Sequence, residues 1–567
     1  MYDLRDKLQG AAETILKKKF AVSTTVHFDV SFGEGRGDLT TSVALQQAKG
    51  LKKAPKEIAQ AVAEDLKQIE GVAEVEVAGN GYINVTLDAD ILAEGLVLAL
   101  ESCIPKKTRK EEDPVIVEYS SPNIAKPFGI HHILTTIIGQ SLSHLYRHQG
   151  FHTISMNHIG DWGTQFGKLA VAYRKWGTKP LEQHSIDDLL ALYVRFHDEA
   201  EKDLTLEDEG RAAFRQLEAG DDALRKFWQT VVDCTMASLQ GVYEHLGIQF
   251  DFTIGESFYE DKMQSIVAEG REKEVFHEGE KGALIVEFPE GTKIPTALVL
   301  KSDGSTNYLT RDLATIRYRI DTWHPQAILY VVDVAQSLHF QQLFSTVQKL
   351  TWELPHLEHV VFGRMRFADA SMSTRKGNTL KLEDVLTEAV SRASKVIEER
   401  GEKIQTDDPE DLAEMMGVGS VVYGVLSQNR KLDLVFDWDK MLSFEGNSAP
   451  YLQYTYARAR SILRKAHLDH APLADVTHDF SAQERLLVKL ISAFGDTLDT
   501  ARREHMPHKL CQYLYDLCQA FNTFYSTDEI LKAEVPIRDF RLGLTAAASS
   551  VLRSGAQILT LRLPERM

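Results

Sequence analysis

The sequence predicts a multidomain α/β protein, with a small α+β unit at the N-terminus, a parallel-sheet unit in the middle and an all-helical C-terminal third. Three observations carry this. Around Gly79-Asn80-Gly81, apolar and polar residues alternate on both sides of a tight-turn tripeptide, which marks a hairpin. From Val115 to about residue 385, short apolar runs alternate with helical periodicity, the pattern of a parallel sheet with crossover helices. From residue 386 to the end, apolar residues recur almost unbroken at three- to four-residue spacing. A length of 567 residues accommodates three domains at about 150 residues each, with expected limits 1–110, 111–385 and 386–567.

In order, Leu4–Phe20 reads as a helix. It leads to a Gly-rich stretch in which Asp38-Leu39-Thr40-Thr41 reads as the N-cap region of the next helix. Pro55–Ile69 is a further helix before the hairpin, and the charged run Lys106–Asp113 reads as a linker. The apolar strand Val115-Ile116-Val117 passes through a polar loop, Ser120 to Gly129, into a helix traced by Ile130, Leu134, Ile137, Ile138, Leu142 and Leu145. A second strand and helix follow, joined by a loop bearing Asn157, His158 and Asp161. Residues 180–256 are charged and mostly helical, and read as an insertion into the sheet. Ala283–Val286 and Ala297–Lys301 are short strands. After the turn Ser302–Ser305 comes a strand ending at Tyr308, then a helix over Arg311–Ile320. AILYVVDVA (327–335) is a buried parallel strand, with Gln336 and His339 at its C-terminal end, where open α/β sheets bind ligands.

Composition excludes some classes. Hydrophobic residues make up 43% and charged residues 26%, enough for a substantial core. No run of about 18 apolar residues occurs, so no membrane span is expected. The N-terminus is a charged amphipathic helix without an apolar signal core, which fits a cytoplasmic protein. The four cysteines are scattered without a CxxC pair and read as buried thiols in a reducing compartment. The net charge of −18 argues at face value against a nucleic-acid partner, but binding depends on local patches. Tyr451–His470 is one such patch, with Arg458, Arg460, Arg464 and Lys465 against Asp469 alone. The same stretch also reads as a solvated helix face.

Two groups of residues carry chemistry. The strand–loop–helix at Val115–Gly139 offers unsatisfied helix N–H groups to an anion, with Lys126, His131 and His132 beside them. Its alternative is a capped helix with surface histidines. Arg375 and Lys376, in a Gly/Ser loop, would reach a triphosphate or remain solvated. Separately, Glu118, Tyr308, Asp312 and Gln336 fall at strand ends or one helical turn away, and would line one pocket with carboxylates, a phenol and an amide. Paired acceptors of this kind match a guanidinium fork or an ammonium group. Taken singly, each residue also fits a structural salt bridge or hydrogen bond.

SSPNIAKP with a histidine-bearing helix start, GDWGTQFG, YLTRDLATIRYR, LYVVDVAQSLHFQQLF, MSTRKGN, APYLQYTYARA and the terminal LRLPERM occur in that order. Together they closely resemble the arginyl-tRNA synthetases of class I, from the GDLTT segment to the last residue. The resemblance implies a Rossmann-like catalytic domain, an N-terminal domain at the tRNA elbow and a helical anticodon-binding domain. It implies that Glu118, Asn123, Tyr308, Asp312 and Gln336 hold L-arginine. Ser120, Lys126, Gly129, His132, Met372 and Ser373 would surround ATP, which carries Mg²⁺, and no protein-bound metal is implied. Lys126, His131, His132, Arg375 and Lys376 would stabilise the reacting phosphate, and Tyr451, Tyr454, Tyr525 and Met567 would meet the anticodon of tRNA(Arg). Family members are commonly monomeric and often need tRNA before they activate arginine.

Both class I signatures depart from pattern. Where the first reads His-x-Gly-His, this chain has Gly129-Ile130-His131-His132. His132 keeps the second histidine, but an imidazole stands where a glycine makes room for adenine. Where the second reads Lys-Met-Ser-Lys-Ser, the chain has Ser371-Met372-Ser373-Thr374-Arg375. In the family, the lysine matching Lys126 is thought to compensate for that loss. The expected activity is therefore arginine–tRNA ligation. The alternatives are a tRNA-binding paralogue impaired in activation by its altered first signature, and a nucleotidyl transferase unrelated to tRNA.

Overall fold

The computed structural model describes residues 2–567 apart from 34–35, 368–379, 402–403, 470–471, 474–475 and 477. At the N-terminus, α1 (Tyr2–Phe20), α2 (Val43–Leu51) and α3 (Pro55–Leu66) accompany an antiparallel sheet of order β1-β2-β4-β3. Its strands are β1 (Asp29–Val30), β2 (Leu39–Thr41), β3 (Val72–Ala78) and β4 (Tyr82–Leu87). The predicted hairpin is β3–β4. Its turn needs glycine at Gly81, where φ is +132° and a Cβ would meet Pro55 Cβ at 2.8 Å. Ile58, Ala59, Val62, Ala63 and Leu66 form the buried stripe of α3, the spacing of a half-buried helix.

The N-cap expected at Asp38–Thr41 is not formed. Leu39–Thr41 is strand β2, and α2 is preceded by Ser42, which makes no side-chain cap bond. Asp38 is instead buried. It accepts the Leu87 amide at 2.8 Å and pairs with Arg485 and Lys489 of the C-terminal half at 2.6 and 3.5 Å. Helix α4 (Ala89–Ser102) leads out of this unit.

The central sheet is all parallel, in the order β12-β11-β5-β6-β7. Its strands are β5 (Val115–Glu118), β6 (Thr153–Asn157), β7 (Phe252–Thr253), β11 (Ala327–Tyr330) and β12 (His356–His359). All four residues of β5 are buried, as a strand covered on both faces requires. Tyr330 pairs with Glu118, and Glu118 with Met156. This register brings the C-terminal ends of three strands to one edge. Helix α5 (His132–His148) follows β5 and is buried almost all round. At Gly139 it lies so close to Tyr119 that a Cβ would meet the ring at 2.2 Å.

The helical insertion falls between β6 and β7, comprising α6 (Thr164–Trp176), α7 (Ile186–Ala200), α8 (Thr205–Glu218) and α9 (Asp222–Leu246). It has its own core around Trp162, Phe166, Phe196 and Phe214. After α10 (Met263–Glu272), the strands β8 (His277–Glu278), β9 (Leu284–Val286) and β10 (Ala297–Leu300) form a separate antiparallel sheet. The strand expected to end at Tyr308 is absent. Tyr308 opens α11 (Tyr308–Trp323), because the Asn307 side chain accepts the Leu309 amide at 3.0 Å and caps the helix there. Helix α12 (Ser337–Lys349) follows β11 after a short 3₁₀ turn, Val334–Gln336.

The C-terminal half is helical as expected, with one exception. β13 (Met365–Phe367) pairs in parallel with β14 (Leu434–Phe436), which lies inside the helical half. One continuous core joins these helices to α5 and to the N-terminal unit. Cys511 and Cys518 are buried, whereas Cys103 and Cys234 are partly exposed, against the expectation of four buried thiols. No helix among the described residues is long and apolar enough to cross a membrane.

Candidate active site

The loop between β5 and α5 is held in an unusual path. Ser120, Ser121 and Ala125 have φ of +72°, +46° and +63°, a region that costs a non-glycine residue roughly 1–2 kcal/mol. Side chains from three elements capture its amides. Ser120 N–H donates to Thr135 of α5 at 3.0 Å, Ser121 N–H to Asn157 at 3.1 Å and Ala125 N–H to Thr235 of α9 at 3.2 Å. The Ser120 hydroxyl lies 2.7 Å from the Tyr243 hydroxyl and accepts from Thr136 at 3.0 Å. Ser120 is buried and lines neither cavity described below. Its side chain holds the loop.

The loop separates two cavities. The first, of about 310 Å³, is lined by Glu118, Asn123, Tyr308, Asp312 and Gln336 together with His158, Glu256 and His339. The five residues expected around arginine thus share one wall. Their carboxylates are not free. Glu118 pairs with Arg319, whose side chain is fully buried. Asp312 lies 2.5 Å from His339 Nε2, and Glu256 lies 2.8 Å from Arg311. Burial pushes Asp312 up, but His339 outweighs it and holds the carboxyl below its usual range; His339 is correspondingly raised against the pull of burial. Burial pushes Glu256 up to about 7, with Arg311 opposing. His158 is lowered by burial and therefore neutral near pH 7.

The second cavity, of about 860 Å³, is lined by Asn123, Lys126, His131, His132, Arg195 and Lys381, with Asp187 and Asp198 on the insertion helix α7. Asn123 belongs to both. Lys126 is exposed and has no carboxylate partner among the described residues; its amine lies 5.9 Å from the Tyr193 ring centroid. His132 stacks on Phe128 at 4.8 Å, and its Nδ1 is 3.2 Å from the Gly129 carbonyl. Burial, with His131 and Lys126 adding to it, pulls His132 down to about 4. His131 lies 4.1 Å from the His132 ring. Gly129 is buried and lines neither cavity; it bridges backbone to Lys381. Around it, Ile130 N–H donates to Leu380 O at 2.8 Å and Leu382 N–H to Phe128 O at 2.9 Å. Lys381 also pairs with Asp187 at 2.6 Å. Met372, Ser373, Arg375 and Lys376 lie outside the described residues.

A third cavity, of about 770 Å³, lies in the helical half and contains Tyr454, Arg458, Arg464, Lys465, Tyr525 and Met567. The Arg458 guanidinium sits over the Tyr454 and Tyr525 rings, at 4.7 and 4.9 Å. Tyr451 does not line it. Tyr451 is half-buried, and its hydroxyl accepts from Asn522 at 3.1 Å. Arg460 and Arg464 hold Glu565 of the C-terminal tail, so part of the basic patch serves structure.

Sequence reasoning missed Glu256, His158, Arg319 and Lys381, and left His339 unassigned. For Arg319 a signal existed. Tyr308, Asp312, Thr315 and Arg319 share one face of α11 at helical spacing. No signal in the sequence points to Lys381. Among the described residues, no cluster of three or more His, Cys, Asp or Glu side chains is arranged to hold a metal ion.

The chain matches three sequence families: "tRNA synthetases class I (R), catalytic domain" over residues 96–438, "DALR anticodon binding domain" over 452–567 and "Arginyl tRNA synthetase N terminal domain" over 3–87. It is 41% identical over 527 residues to the arginine–tRNA ligase of Clostridioides difficile, covering 92% of each chain. To that of Fusobacterium nucleatum it is 36% identical over 572 residues, covering 100% of this chain and 99% of the relative. Its fold superposes on the arginyl-tRNA synthetase of Thermus thermophilus with a TM-score of 0.81 at 25% identity, covering 100% of both chains. The same enzyme of Plasmodium falciparum gives a TM-score of 0.81 at 23% identity, covering 100% of this chain and 99% of the other. With motifs, fold and relatives in agreement along its whole length, the chain belongs to the class I arginyl-tRNA synthetase family.

Proposed function

We propose that this chain is an arginine–tRNA ligase that activates L-arginine with ATP and transfers it to the 3′-terminal adenosine of tRNA(Arg). The observation that carries the reading is the pair of cavities meeting at Asn123, one acidic and one cationic. In the first, Glu118, Tyr308 and Asp312 would take the guanidinium, with Asn123 and Gln336 completing the arginine site. In the second, Lys126, His131 and His132 would face the phosphates, with Arg375 and Lys376 approaching from the signature loop and Met372 and Ser373 at the nucleotide. The arginine carboxylate then attacks the α-phosphate, pyrophosphate leaves, and the 2′-hydroxyl of the terminal adenosine takes the arginyl group. No covalent enzyme intermediate is required. The chain's contribution is positioning and stabilisation of charge on the reacting phosphate.

Mg²⁺ would be held mainly by ATP oxygens and water, as is usual for phosphate-bound Mg²⁺. Tyr454, Tyr525 and Met567 would receive anticodon bases, aromatic stacking contributing about 1–3 kcal/mol per base. Tyr451, whose ring meets Tyr515 and whose hydroxyl accepts from Asn522, would meet the anticodon beside them. The divisions 1–110, 111–385 and 386–567 then serve the tRNA elbow, catalysis and the anticodon, in a cytoplasmic monomer. No observation in the site favours a paralogue that binds tRNA without activating arginine. The test is ATP–pyrophosphate exchange by the purified protein. Exchange dependent on arginine and tRNA(Arg) is the expected result; tRNA binding without any exchange would overturn the reading.

A further inference from the structure

The acidic cavity holds three carboxylates among its described residues, and each already has a cation. Glu118 has Arg319, Glu256 has Arg311, and Asp312 has His339 at 2.5 Å. Two of these cations are guanidiniums, which do not deprotonate in proteins. His339 is the exception, because an imidazole loses its charge near neutral pH. It also belongs to the most accessible of the three pairs. The Asp312 and His339 side chains keep 31% and 23% of their surface open, against 0% for Arg319 and 10% for Arg311.

We propose that His339 is a proton-exchanging placeholder for the substrate guanidinium. In the empty cavity the imidazolium neutralises Asp312. When arginine enters, a guanidinium N–H replaces the His339 N–H on Asp312, and His339 releases one proton to water. One positive charge arrives and one leaves, so the net charge of the pocket is unchanged. The inference rests on reading this cavity as the arginine site. His339 is then a positioning residue that acts through Asp312.

The ionisable groups around His339 are Asp312 on α11, His359 on β12, Tyr330 on β11, and His158, Glu118, Glu256 and Tyr308 in the same cavity lining, with Arg319 and Arg311 behind the two glutamates. His158 and His359 are both lowered by burial and stay neutral. Glu256, raised to about 7 in the same cavity, is the necessary control. The sign follows from linkage. The empty-site pKa of His339 lies above 6.5 because of Asp312, although burial opposes the shift. A guanidinium on Asp312 removes that support and lowers it. Between the two values arginine binding releases a proton, so affinity rises with pH by up to about tenfold per unit. Above the upper value the dependence disappears.

The experiment is calorimetric titration of L-arginine into the full-length protein at about pH 6.5, near the ordinary imidazole value, in buffers of different ionisation enthalpy. Wild type and Glu256→Gln should both release protons as arginine binds. His339→Gln made in the Glu256→Gln background should bind arginine, release none, and show a Kd that is flat between about pH 6 and about pH 8, where an imidazole titrates. Proton release that persists in the double variant, or that vanishes in Glu256→Gln alone, overturns the proposal. Asp312→Ala separates this failure from the larger one. If it leaves arginine affinity unchanged, the site reading fails and the inference with it. If it weakens arginine while wild type releases no proton, only the inference fails.

Discussion

The two cavities that meet at Asn123 settle their charges in opposite ways. On the acidic side every carboxylate is paired within the protein, Glu118 with a fully buried arginine. On the cationic side Lys126 stands exposed, with no carboxylate partner among the described residues. The difference follows from burial. A carboxylate buried alone costs several kcal/mol, so a pocket built to receive a cation must carry internal counter-charges while empty. A lysine at an open rim is neutralised by water and needs none. On the proposed function, one pocket would exchange partners on binding and the other would only gain one.

The contrast is broken most directly by unfolding measurements. Arg319→Leu leaves Glu118 buried and unpaired, and should lower unfolding free energy by roughly 3–5 kcal/mol. Lys126→Ala, in the same denaturant series, should stay within about 0.5 kcal/mol of wild type. Equal losses would mean that the acidic pocket's pairs are no more structural than a surface lysine. In activity the order reverses. If Lys126 faces the reacting phosphate as proposed, Lys126→Ala should slow adenylate formation by about 10²–10³-fold, or about 2.7–4 kcal/mol. Arginine affinity should not change. A matching rise in the KM for arginine would show that Lys126 serves both cavities.

Asp312→Ala tests the acidic side alone. Losing one charged hydrogen bond to the substrate should weaken arginine by roughly 1.5–3 kcal/mol, which is about 10- to 150-fold in KM. Steady-state kinetics should show the KM for ATP moving by less than about twofold, well under 1 kcal/mol. An unchanged KM for arginine would remove Asp312 from the pocket.

What the sequence made legible, and what it hid, divides along the same line. Glu118, Tyr308, Asp312 and Gln336 could be gathered because strand ends in a parallel sheet share one edge and Asp312 lies one helical turn beyond Tyr308, whereas Asn123 joins them only through the family resemblance. Arg319 could have been added from its place on the same face of α11, but which carboxylate each counter-ion holds could not be read, because an ion pair such as Arg319 with Glu118 is made across the fold between residues with no fixed separation. The turn at Ser302–Ser305 dominates the local pattern and suggests a strand up to Tyr308, whereas the Asn307 cap that starts the helix is one side chain. Ser120 is polar and lies in a phosphate-type loop, which does not reveal its structural bonds. The fold uses its hydroxyl to fix a left-handed backbone. Strand β14 stayed hidden because three residues between helices carry no periodicity.

The smallest effect concerns the altered first signature. His132 Nδ1 faces the Gly129 carbonyl at 3.2 Å, and a carbonyl can only accept. That ring nitrogen therefore carries the proton, and with the group pulled down to about 4, chiefly by burial, Nε2 is bare at neutral pH. A bare nitrogen has no hydrogen to give a phosphate oxygen. His131 is in a different position. It is exposed on the cavity wall, its backbone is ordinary at φ −63° and ψ −24°, and no hydrogen bond fixes its tautomer among the described residues. Burial lowers it despite Asp333, so it is a neutral imidazole free to turn an N–H toward the phosphates. His131→Gly should then lower kcat/KM for ATP by about fivefold, near 1 kcal/mol, the worth of one neutral hydrogen bond. The KM for arginine should hold, since His131 lines only the cationic cavity. Glycine at this helical position costs about 1 kcal/mol of stability at most, a loss that leaves the folded fraction, and so kcat/KM, almost unchanged. A rise in kcat/KM would mean that the ring obstructs the nucleotide and that the departure from the family's glycine is a handicap rather than a relocated contact.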